Sequence, residues 1–187
     1  MASKRIYLSI ALLALLAGPV AGPVAAQTNP AMGQDSTSMS PGSAPAAKVP
    51  AGPLKITFGD QSAEWTAATL AALPHTKVTV YNEHTKANET YAGVPVIDLL
   101  TKLGVPDKPR GKQFKLYLVA VGSDGYEVVY SLGEVTPDVH DATVLVADSE
   151  DGQPIAADGP LKMVATGEKR PARWVRNLVA IRVLTAE

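Results

Sequence analysis

Lys169, Arg170, Arg173 and Arg176 surround Trp174 within eight positions of the chain. Guanidinium forks suit two-point capture of a phosphate or carboxylate, and an indole offers a flat face to a planar ring. Such a cluster can therefore form an anion site with an aromatic wall. A plainer arrangement also fits: Trp174 and Val175 enter the core while the cations are solvated or pair with Glu168 and Asp158. The second chemistry-bearing spot is Ser123-Asp124-Gly125-Tyr126. A tight turn accounts for Asp and Gly there, and the tyrosine is free to serve either a strand or a site.

Other chemistries lack their residues. The chain has no cysteine, which removes disulfides, thiolate metal ligands and cysteine nucleophiles together. His75, His84 and His140 stand at no metal-ligand spacing, so no metal site is expected. There is no G-x-S-x-G elbow and no glycine-rich phosphate loop, and no catalytic residue is assigned. Met32 and Met39 alone make a poor soft-metal site, and Asn88-Glu89-Thr90 is a glycosylation sequon of the length chance produces.

These residues need elements to position them. Lys4 and Arg5, the apolar run from Ile6 to Leu16 and the small residues ending at Ala26 read as a cleavable signal peptide over 1–26. The run is shorter than the roughly 20 residues of a membrane span. The expected location is therefore periplasmic or secreted, with no membrane span after cleavage. Without Lys4 and Arg5, the 17 basic residues fall to 15 against 18 acidic ones, so no nucleic-acid partner is expected. Residues 27–53, rich in Pro, Ser and Ala, read as a disordered linker. Residues 54–187 read as one domain.

Within that domain, alternation places strands at 54–58, 77–81, 89–91, 114–120, 126–132, 143–147, 161–165 and 178–184. Thr66 caps a short helix that ends at Pro74. Pro95 opens a second helix with Val96, Leu99, Leu100 and Leu103 on one face, stopped at Gly104. A helical turn is expected within 171–177. Strands mixed with two or three short helices predict an α+β domain built on a mixed sheet.

The landmarks also come in a familiar order. Tyr91-Ala92-Gly93-Val94-Pro95-Val96-Ile97-Asp98-Leu99-Leu100 with Gly104-Val105, then Ser123-Asp124-Gly125-Tyr126, then Gly152-Gln153-Pro154-Ile155 with Gly159-Pro160-Leu161-Lys162-Met163-Val164, and last Trp174-Val175-Arg176-Asn177-Leu178, resemble the sulfite oxidase-type molybdopterin-binding domain. The resemblance runs from about Leu54 to Leu184. It implies that family's fold and names molybdopterin as the cofactor to test. The family's molybdenum-ligating cysteine would fall near Val80-Tyr81-Asn82-Glu83-His84, where none stands. Tyr81, Asn82 and His84 are the harder donors available there. The phosphate-gripping basic segments that follow the cysteine in full-length enzymes also have no clear counterpart.

Two functions follow from the resemblance. One is an exported binding module for a pterin-like or other small anionic ligand, or for a periplasmic protein. In it Lys169, Arg170, Arg173 and Arg176 act as anion donors, Trp174 and Tyr126 as aromatic walls, and Asp124 as acceptor for a ring nitrogen. The alternative is a molybdopterin-dependent oxidoreductase with a cysteine-free metal site.

Overall fold

A computed structural model describes residues 52–187. The expected signal peptide, all but the last two residues of the expected linker, and Met32 and Met39 lie outside them. The domain begins with a hairpin, β1 (Leu54–Phe58) and β2 (Gln61–Trp65), turned at Gly59 with φ +54°. Leu54 and Ile56 alternate inward and are fully buried, as the sequence period requires. Thr66 then caps α1 (Ala67–Ala71) reciprocally with Thr69. The hairpin of β3 (Thr76–Asn82) and β4 (Ala87–Pro95) leads into α2 (Val96–Thr101), with Pro95 at its N-cap. After a 3-10 turn come β5 (Leu116–Gly122) and β6 (Glu127–Ser131), joined at Asp124-Gly125. The chain continues through β7 (Val144–Glu150), β8 (Gln153–Pro154), β9 (Lys162–Ala165) and β10 (Leu178–Thr185).

The strands form two sheets. The first runs β2-β1-β10-β5-β6, parallel only between β1 and β10; the second runs β3-β4-β7, with β8 and β9 both on the far side of β7. The expected α+β class is therefore corrected to a mostly β domain: strand accounts for 44% and helix of every kind for 17%. The two helices form where the sequence places them, but they are five and six residues long. Elements of under two turns plug the core without making a layer. The expected turn within 171–177 is a three-residue 3-10 turn at Pro171–Arg173. β2 was not expected, because Gln61-Ser62-Ala63-Glu64 carries no apolar alternation.

Most core residues lie between the sheets, where Ile56, Leu118, Ile181 and Val183 of the first meet Val94, Val146 and Met163 of the second. Leu70 of α1 and Val96, Leu99 and Leu100 of α2 complete that cluster. On the other face of the second sheet Tyr91, Leu145, Ala147, Ile155 and Val164 form a smaller cluster. β7 and β9 are buried on both faces, which explains why Val144 to Ala147 and Met163 to Ala165 read as unbroken apolar runs. Trp174 packs against both clusters.

His75 ties the α1–β3 connection to the second sheet. Its Nδ1 lies 2.7 Å from Leu73 O and its Nε2 2.9 Å from Asp148 Oδ2. Both ring nitrogens face acceptors, so the imidazolium is favoured, and the Asp148 hydrogen bond raises the pKa above 6.5. A raised folded-state value contributes stability that is complete below the unfolded pKa and lost as pH rises through the folded one. Thermal melts of wild type and His75→Ala should therefore differ most below about pH 6.5, by up to about 1 kcal/mol, and converge on the alkaline side. A constant difference across that range would contradict the pairing.

Candidate functional site

A cavity of about 860 Å³ opens where three connections meet: the β3–β4 turn, the β5–β6 turn and the segment from Lys169 to Arg176. Six of the seven candidate residues line it: Asp124, Tyr126, Lys169, Arg170, Trp174 and Arg176. The β5–β6 turn is held by Tyr126 N–H donating to Asp124 Oδ1 at 3.0 Å. The Tyr126 hydroxyl reaches over and donates to Ala172 O, fastening this turn to the basic segment. Trp174 is oriented by its indole N–H, which donates to Ala165 O at 2.9 Å, and by an edge contact with Tyr91 at 5.4 Å and 83°.

Arg173 is the candidate residue the structure sets apart. Its guanidinium turns away from the cavity and donates to Glu134 Oε1 at 2.8 Å and to Glu168 Oε1. It also stacks 4.6 Å from the Tyr130 ring centroid, while the Tyr130 hydroxyl donates to Arg173 O at 2.6 Å. Glu134 keeps its carboxylate: burial would raise its pKa, but hydrogen bonds from Ser131 N–H and Arg173 outweigh that and lower it. Arg173 thus clamps the basic segment from outside, as expected of a cation paired with Glu168.

The cavity floor was not foreseen. Lys162, 7% exposed, donates to Asp158 Oδ2 at 2.6 Å and to the Tyr91 hydroxyl at 3.0 Å, and its ammonium lies over the rings of Tyr91 and Trp174. The Tyr91 oxygen also lies 2.9 Å from Glu89 Oε2 and 2.8 Å from Glu150 Oε1. Burial, followed by those two carboxylates, pushes its pKa up. Glu89 accepts from Asn82 at 2.7 Å and from Thr85 at 2.9 Å, so the same network pins the β3–β4 turn that forms the cavity's other wall. Burial alone would raise the Glu89 pKa, but these hydrogen bonds and Lys162 lower it. In sequence Lys162 stood in an apolar strand, where a polar residue facing a buried side was the available signal.

The cavity's charges divide into those already answered and those that are not. Lys162 is paired with Asp158, and Arg176, three-quarters exposed, approaches Asp158 only to 3.7 Å. Glu83 pairs with Lys86 at 2.7 Å. Lys169 and Arg170 have no ion-pair partner among the described residues. Among the same residues no three His, Asp or Glu side chains converge as metal ligands. His84 lines the cavity with Asn82 and Glu83, while His75 is engaged with Asp148. This donor set does not fit a molybdenum centre that depends on thiolate donation.

The same architecture occurs in a solved enzyme structure. The fold matches that of the sulfane dehydrogenase SoxCD. The Paracoccus pantotrophus structure aligns with a TM-score of 0.54 at 22% identity, over 70% of this chain and 37% of that one. The match supports the expected sulfite oxidase-like fold. The chain therefore spans little more than a third of the SoxCD chain. No protein-family model and no curated protein matches the sequence.

Proposed function

We propose that this chain is an exported binding module that holds a flat anionic ligand, pterin-like in shape and charge, without performing redox chemistry on it. The observation that carries the reading is the pairing pattern in the cavity. Lys169 and Arg170 are left unpaired beside the aromatic faces of Trp174 and Tyr126, while Lys162 and Arg173 are engaged in holding the walls. Free cations supply the affinity for a phosphate or carboxylate, and the rings supply a slot for a planar heterocycle. Asp124 lines the same cavity and can accept from a ring N–H.

The test is a fluorescence titration of the purified chain with a pterin carrying a 6-alkyl phosphate. Lys169→Glu with Arg170→Glu should weaken binding by at least about tenfold, since each lost charge-assisted hydrogen bond contributes about 1.5–3 kcal/mol. Arg173→Lys should retain binding and lower thermal stability, because it loses the fork shared by Glu134 and Glu168. Equal binding by wild type and the double variant would sink the proposal. Stoichiometric molybdenum in protein made by a cofactor-producing host would instead establish a cysteine-free redox site.

A further inference from the structure

The second sheet has a seam. β3 and β9 lie on opposite sides of the β4–β7 pair, yet both border a second cavity of about 320 Å³, lined by Thr79 to Glu83 on one side and Ala165 to Pro171 on the other. The outer edge of β9 is taken by Val175, so it is the segment leaving β9, from Ala165 to Pro171, that comes across to face β3. Successive strand residues point to opposite faces, so a cavity touching the four strand residues from Thr79 to Asn82 in a row lies along the strand's edge. β3 pairs with β4 on its other side and with no further strand among the described residues. Its outward backbone groups thus form an open template. Val78 and Val80, which pack toward the smaller core cluster, are left only half-buried.

The seam's charge identifies what fits. Its acids are already answered, Glu83 by Lys86 and Glu168 by Arg173. Its cations, Lys169 and Arg170, have no ion-pair partner among the described residues, and they line both the seam and the larger cavity.

We propose that the seam docks an extended acidic segment of a partner protein, which adds to the free edge of β3 and sets its carboxylates against Lys169 and Arg170. Main-chain hydrogen bonds supply affinity in such strand addition, and the alternating side chains supply selectivity. The apolar side of the added strand covers Val78 and Val80. The inference is separate from the small-ligand reading, although the two share two cations.

The experiment follows backbone amide exchange of the full chain by NMR with an acetylated, amidated pentapeptide alternating valine and aspartate. Its lysine counterpart serves as the control. Saturating acidic peptide should slow exchange at alternate amides between Thr79 and Glu83 by tenfold or more, and the lysine peptide should not. Thr79→Glu adds a carboxylate to β3 at a residue that borders the seam and not the larger cavity. It should weaken the acidic peptide about tenfold while leaving the pterin phosphate titration unchanged. Equal binding of the two peptides, protection elsewhere than β3, or no protection would overturn the proposal. So would a concentration-dependent dimer that protects the same amides without peptide, since a second copy would then own the edge. Peptide binding with no pterin binding would refute the small-ligand reading alone.

Discussion

Replacing Lys162 with methionine is expected to lower stability by about 3 kcal/mol or more, seen as a fall of roughly 10 °C in the melting temperature. The side chain is nearly enclosed, and its ammonium stands between Asp158, the Tyr91 hydroxyl and two aromatic rings. Methionine fills similar volume, so the loss comes mainly from charge. Asp158 keeps only the exposed Arg176, at 3.7 Å, and Glu89 and Glu150 stay gathered on the Tyr91 hydroxyl without the Lys162 ammonium beside it. Breaking one side of a buried pair costs more than the pair itself contributes. Adding Asp158→Asn should therefore restore part of the stability, and a double-mutant cycle measures the coupling. If the two substitutions simply add, the network is not acting as a unit.

Gly93→Ala is expected to be more damaging still, either abolishing soluble folded protein or lowering the melting temperature by well over 10 °C. A Cβ at this position would stand 2.1 Å from Val146 O and 2.5 Å from Ala147 Cα, both on the backbone of β7. Neither atom can swing aside as a side-chain tip can. The register between β4 and β7 shifts between Ala92 and Gly93, so the close approach is part of how the two strands pair. Gly59→Ala separates crowding from conformational cost. That glycine has φ +54° and nothing within 4 Å of an added Cβ, so about 1–2 kcal/mol is expected. Similar losses at the two positions would remove the steric argument.

The strand order along the chain was legible because strands with one buried face carry a period of two, while β7 and β9, buried on both faces, read as unbroken apolar runs. Val128 and Tyr130 of β6 are buried as their spacing requires, although the strand expected to run to Leu132 ends at Ser131, where a 3-10 turn begins. The caps were equally plain: Thr66 and Pro95 open the two helices, and Gly104 follows the second with φ +85°. Alternation weakens where burial is absent. β2 has few buried residues, and Phe114, expected at the start of a strand, lies in a 3-10 turn and is 46% exposed. The class was misjudged because a capping signal marks where a helix starts and says little about its length.

The candidate site divides along the same line. Residue type and spacing alone marked the basic run around Trp174 and the Asp124-Gly125-Tyr126 turn, since both are local in sequence. Which cations are spent on structure was decided jointly by neighbours, Glu168 for Arg173 and Asp158 for Lys162, and by partners far along the chain. Arg173 is engaged by Glu134, 39 residues away, and Lys162 by Tyr91, 71 residues away. A pairing between distant residues leaves no periodic trace in one sequence. The seam beside β3 is likewise absent from any local pattern, because an edge exists only once a sheet has formed and a distant segment has come to lie beside it. Strand order, the caps and the inventory of charges were readable from neighbours within a turn or two, whereas strand ends shifted and the exposed strands β2 and β8 left no pattern. The tertiary structure decided which charges remain free, because desolvation and ion pairing act through space.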